Sequence, residues 1–130
     1  MFSISEAASL AIHSLVIIAK SKEQINVSGI AEATNFSRTH LAKVLQRLSK
    51  NKYIESERGP KGGFVLSKDS EDITLLEIYE LMEGKLEPEH CTIHDGDCPF
   101  KTCIFSGITD RFLNEFREYL ESKTIHDFVP

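Results

Sequence analysis

The chain has 130 residues, 41% hydrophobic and 27% charged, with a formal net charge of −5 at pH 7. That length suits one domain with a real core, and the composition excludes disordered, collagen-like and disulfide-scaffold classes. The longest apolar run, residues 15–19, is too short to span a bilayer, and no basic residue precedes Lys20 as a secretion signal requires. A cytoplasmic protein with no membrane partner is therefore expected.

The first predicted element is a buried helix over about residues 4–20. Ser3 and Glu6 stand at capping-box spacing, and Ala7, Ala8, Ala11, Ile12, Leu15, Val16 and Ala19 recur at helical steps. Ile17 and Ile18 carry its apolar surface most of the way round, which predicts contact with a second body as well as the core. Residues 25–27 suit either a short strand or a helix entry. A compact helix over 28–34 follows, with Ser28 as its N-cap, then a turn at Asn35 and Phe36. Ser37 opens a third helix running to about Asn51. Leu41, Val44, Leu45 and Leu48 face inward there, and Arg38, His40, Lys43, Arg47 and Lys50 remain on other faces. A short helix, a tight turn and a helix with a basic face form a helix-turn-helix order.

Charge is distributed to match. Residues 24–70 hold eight basic and four acidic side chains, whereas residues 71–130 hold five basic and fourteen acidic. A basic middle in an acidic protein can face phosphate while the rest repels it, although ordinary solvated faces give the same count.

Two β-prone runs, residues 53–57 and 64–67, flank a loop with three glycines, one proline and the cations Arg58 and Lys61. This is the pattern of a wing hairpin after a recognition helix. A nucleotide-phosphate cradle would want a helix N-terminus after the glycines, and a strand follows instead. Thr74 and Glu77 mark a second capping box, opening a helix that stops near Gly84. A last helix carries Phe105, Ile108, Phe112, Phe116, Tyr119 and Leu120 at three- and four-residue steps. That stripe can fold back on its own core or, as we expect, pack against a symmetry mate. The tail from Ile125 carries no signal.

Cys91, Cys98 and Cys103 are the only cysteines, packed into thirteen residues with His90 and His94 alongside. Three thiols cannot all pair within one chain, and their crowding suits soft metal or iron–sulfur ligation. Three thiolates and an imidazole would equally make a tetrahedral zinc site, though the tight paired spacing usual for zinc is missing. A metal-free thiol switch is the third chemistry. A Cys–His nucleophile using His94 is conceivable, but no orienting third group or oxyanion hole accompanies it, so an enzyme is not expected.

Several stretches together carry a family resemblance: Leu10 to Leu15, His40 to Leu48, the wing run Arg58-Gly-Pro-Lys-Gly-Gly-Phe64, Thr74 to Ile78 with Glu83-Gly84, and the cysteine cluster. With these the chain resembles the Rrf-type family of bacterial transcription regulators. The resemblance implies a mostly α fold, a winged helix-turn-helix with a two-stranded wing and a long C-terminal dimerisation helix. Residues 1–72 would form the DNA-binding domain and 73–130 the cysteine loop and dimer helix, packed as one unit. It implies a homodimer on palindromic promoter or operator DNA. Regulation by redox state, nitric oxide or iron–sulfur status would act through a 2Fe–2S or 4Fe–4S cluster on Cys91, Cys98 and Cys103. The spacing C-x6-C-x4-C departs from the family's C-x5-C-x5-C, so cluster type stays open. Ser9 stands at one family ligand position and is a poor ligand. His13, one turn later, is either a hydrogen-bonded structural histidine or a fourth ligand from the other subunit, with His90, His94 and Asp95 in reserve. Arg38, Thr39, His40 and Lys43 are expected in the major groove, Ser28 and Ser37 toward phosphate, and Arg58 and Lys61 on an adjacent groove or backbone.

Overall fold

In the computed structural model, which describes residues 3–59, 62–87 and 98–130, seven regular elements follow in order. They are α1 (Glu6–Lys20), α2 (Val27–Thr34), α3 (Arg38–Lys50), β1 (Ile54–Glu57), β2 (Gly63–Leu66), α4 (Leu75–Glu83) and α5 (Ile108–Ser122). Short 3₁₀ turns at Ser70–Asp72 and Ile125–Phe128 precede α4 and follow α5. The architecture is the expected one: mostly helical, a winged helix-turn-helix whose wing is an antiparallel pair with Ile54 opposite Leu66 and Glu57 opposite Gly63.

Helix α1 is the spine. It buries Ala8, Leu10, Ala11, Ser14, Leu15 and Ile18 and packs against α3, α4, β2 and the final turn. Its N-cap is Ser5, not Ser3: the Ser5 hydroxyl accepts from the Ala8 amide at 3.1 Å. Glu6 is therefore the first helical residue and is free for another task. The Ser5 hydroxyl also donates to Glu83 at the end of α4, which ties the start of α1 to the segment that leads into the cysteine loop.

Helix α2 likewise starts earlier than the sequence suggests, capped by Asn26, whose side chain accepts from the Gly29 amide at 2.9 Å. The cause is long-range. Ile25 is held extended against the wing, its amide donating to the Phe64 carbonyl at 3.3 Å and its carbonyl accepting from the Phe64 amide at 2.8 Å. The chain turns helical immediately after that bridge, so Ser28 sits inside the first turn. Asn35, at φ 62°, closes α2 in the left-handed conformation that asparagine tolerates. Helix α3 then buries Leu41, Val44, Leu45 and Leu48, as their spacing predicts.

The wing is seated closely. A Cβ on Gly63 would lie 2.8 Å from the Ile25 carbonyl carbon and 2.9 Å from its nitrogen and oxygen, so only glycine permits this approach. At the wing's base the Tyr53 hydroxyl bonds Glu77 of α4. Burial, and then the charge and hydrogen bond of Glu77, push the Tyr53 pKa up to about 12, which keeps it a donor.

Thr74 caps α4, accepting from the Glu77 amide at 3.2 Å. The tail closes the core. The Leu75 amide donates to the Lys123 carbonyl at 2.9 Å, the Ile125 amide donates to the Ile73 carbonyl at 2.9 Å, and both isoleucines are fully buried. Helix α5 touches α4 through an edge-on contact between Tyr79 and Phe116, centroids 5.2 Å apart. Leu120 is its buried residue, while Phe112 and Tyr119 are 61% and 51% exposed. Among the described residues no helix is long and apolar enough to cross a membrane.

Candidate DNA interface and cysteine centre

The buried face of α3 leaves Arg38, Thr39, His40 and Lys43 exposed on the first turn and a half, with Arg47 and Lys50 further along. Ser37 occupies the N-cap position, but its side chain makes no capping bond, so the hydroxyl is available to an outside acceptor. Ser28 lies in the first turn of α2, where helix amides lack helical acceptors. An open cleft of about 370 Å³ runs between that turn and the wing, lined by Asn26, Ser28, Ser56, Gly62 and Phe64 among others. Arg58 is exposed on the wing. Lys61 lies outside the described residues. One neighbour of this surface has no local sequence signal: Glu6, whose carboxylate meets the His40 ring nitrogen Nδ1 at 2.8 Å across 34 residues of chain.

Cys98 and Cys103 are free and exposed, whereas Cys91, with His90, His94 and Asp95, lies outside the described residues. The pKa of Cys103 is lowered, first by the Phe105 amide and then by those of Ser106 and Gly107; slight desolvation and the charge of Asp110 oppose them. The geometry comes from a tight turn, with Ser106 at φ 50° and Gly107 at φ 72°, that curls successive amides toward the sulfur just before α5 begins. His13 is exposed on α1. Its Nδ1 lies 2.7 Å from the Ser9 carbonyl and 3.3 Å from the Ser9 hydroxyl, and its ring meets Phe36 edge-on at 5.8 Å. A carbonyl can only accept, so Nδ1 carries a hydrogen; in the neutral ring the lone pair is then on Nε2, the form a metal ligand needs. Among the described residues no three His, Cys, Asp or Glu side chains converge as a metal site. Within one chain, His13 is thus not gathered with Cys98 and Cys103.

A family model described as Rrf2, an iron-dependent transcriptional regulator, matches residues 4–130. The chain belongs to the Rrf2 family. It is similar to the HTH-type transcriptional regulator NsrR of Bacillus subtilis, 32% identical over 113 residues that cover 82% of this chain and 75% of that protein. IscR of Photorhabdus laumondii is 24% identical over 105 residues, 81% of this chain and 64% of its own. In fold the chain matches CymR, the global cysteine regulator of B. subtilis, with a TM-score of 0.80 and 24% identity over 99% of this chain and 97% of that one. As an Rrf2 protein it is a DNA-binding transcriptional regulator and not an enzyme. The thiol-enzyme alternative is set aside on that ground.

Proposed function

We propose that this Rrf2 protein binds operator DNA as a twofold dimer and that its grip is set by an iron–sulfur group on Cys91, Cys98 and Cys103, with His13 of the partner subunit as fourth ligand. The observation that carries the reading is Cys103, an exposed thiol whose neighbouring amides stabilise the thiolate. Amides directed at sulfur favour the thiolate that ligation uses and tune a cluster held there. Nε2 of His13, opposite the Nδ1 that bonds Ser9, supplies a nitrogen ligand compatible with that set, and the family's description as iron-dependent agrees. When bound, the group would add charge and cross-link the cysteine segment.

The rest of the mechanism belongs to the chain's own residues. The apolar stripe of α5, with Phe112 and Tyr119 outward, would pair with its copy and fix the separation of two α3 helices. Arg38, Thr39, His40 and Lys43 would enter the major groove, with Ser28 and Ser37 on phosphates and Arg58 and Lys61 on the adjoining backbone. Two links reach this surface from α4, the helix that feeds the cysteine segment: Glu77 to Tyr53 under the wing, and Glu83 to Ser5 at the start of α1. A ligand shifts DNA affinity only by its different hold on the two states, and these links are where such a difference would be felt.

A metal-free thiol switch is the second reading, favoured by the same depressed Cys103 pKa. Purification without oxygen separates the two. Brown protein that air or nitric oxide bleaches supports the cluster; colourless protein carrying stoichiometric zinc, or no metal, overturns it. The DNA surface has its own test. Lys61→Ala should weaken binding to all sequences alike and flatten the salt dependence by about one unit. Arg38→Ala should cost about 1–3 kcal/mol at one base position. Wild-type binding by both variants would show that the groove assignment is wrong.

A further inference from the structure

The Glu6–His40 pair joins the first residue of α1 to the first turn of α3, both side chains in solvent, His40 54% and Glu6 68% exposed. A carboxylate has only lone pairs to offer. The contact at 2.8 Å therefore requires a hydrogen on Nδ1. In the neutral imidazole this places the lone pair on Nε2, the ring nitrogen left outside the contact. A neutral histidine unconstrained by a partner can present Nε2 as donor or acceptor, and so cannot discriminate between bases that offer opposite groups. Held by Glu6, the neutral ring presents an acceptor.

We propose that Glu6 is a positioning residue for DNA reading: by fixing the His40 tautomer it makes Nε2 a hydrogen-bond acceptor that selects an exocyclic amino group in the major groove. Those groups are adenine N6 and cytosine N4, while thymine O4 and guanine O6 and N7 are acceptors that a bare Nε2 rejects. The inference rests on the reading of α3 as the groove-entering helix. It adds which atom reads, what it reads and which residue outside α3 decides this. Its electrostatic setting makes it testable, because an anion beside a phosphate-facing surface weakens binding to every sequence. If Glu6 did nothing else, its removal would raise affinity uniformly. A tautomer-setting Glu6 changes preference at one position.

The experiment selects bound duplexes from a random library with the full chain in mildly alkaline buffer, comparing wild type, Glu6→Ala, Glu6→Gln and His40→Ala. Wild type should prefer adenine or cytosine about tenfold at one position in each half-site, the discrimination expected of one good polar base contact. Glu6→Ala should lose most of that preference while other positions keep theirs, and Glu6→Gln, whose amide can either accept from or donate to Nδ1, should lose part of it. His40→Ala should lose it at the same position. Nitrogen-15 NMR of the imidazoles supplies a readout that a purely structural role would not move. His40 should carry its proton on Nδ1 in wild type and shift toward the Nε2–H form in Glu6→Ala, with thermal melting showing the fold intact. A uniform rise in affinity with unchanged preference in Glu6→Ala overturns the proposal, as does an Nε2–H or doubly protonated ring in wild type. Wild-type protein that binds no duplex would remove the groove reading and this proposal together, whereas an unaltered preference in Glu6→Ala removes this proposal alone.

Discussion

Truncating Phe112 to alanine should weaken the proposed dimer by about two orders of magnitude. In a single chain the side chain is 61% exposed on α5. A phenylalanine offers roughly 200 Å² to bury, so covering the exposed part removes about 120 Å² from water in each copy. At about 25 cal/mol per Å² this is worth ~3 kcal/mol per protomer and ~6 kcal/mol for the symmetric pair. Association converts area to affinity inefficiently, so ~3 kcal/mol, about two orders of magnitude in dimer dissociation constant, is the expected minimum. Sedimentation equilibrium over a dilution series reads this directly, with far-UV melting to show that the protomer still folds. The side chain lies outside the protomer core, so its loss should leave the melting of the isolated protomer nearly unchanged. A Phe112→Ala protein that dimerises as tightly as wild type, or a wild type that is monomeric where it binds DNA, would refute the assignment of α5.

Three further outcomes follow from the fold. Gly63→Ala should destabilise the chain by about 1–3 kcal/mol, since its Cβ would meet the Ile25 backbone at 2.8 Å, where nothing flexible can yield; an unchanged denaturation midpoint would contradict the close seating of the wing. Thr74→Ala removes the hydroxyl that accepts from the Glu77 amide and should cost about 1 kcal/mol by the same measurement. Amides from Phe105, Ser106 and Gly107 hold the Cys103 thiol below its usual pKa, so the thiolate persists to lower pH in the folded protein. The pH profile of Cys103 alkylation in metal-free protein should accordingly have its midpoint below that of the denatured chain; coincident midpoints would show that the turn does nothing for the sulfur.

Much of this architecture is visible in local patterns because local physics sets it. Leu41, Val44, Leu45 and Leu48 repeat at helical spacing, and α3 buries that stripe. Thr74 caps α4 where the spacing to Glu77 predicts. The β-prone stretches on either side of the glycine-rich run pair as the two strands of the wing. The departures all have long-range causes. Asn26 rather than Ser28 caps α2 because Phe64, far along the chain, holds Ile25 extended. Ser5 rather than Ser3 caps α1, its hydroxyl also bonded to Glu83. The tail carries no periodic signal, yet Ile125 is fully buried and bonded to Ile73. Glu6 looks like half of a capping box, and only the packing of α1 on α3 brings it to His40. For the site itself the sequence shows which residue types cluster. The amide turn at Cys103 and the ring-nitrogen partners of His13 and His40 appear only in three dimensions.

The most direct test titrates one duplex, chosen by selection from genomic DNA, with anaerobically iron–sulfur-loaded protein and with metal-free protein across a salt series. Affinities of the two forms should differ by about fivefold or more at every salt concentration, the scale of a genuine coupling between two sites. Superimposable binding curves for the two forms would contradict that coupling.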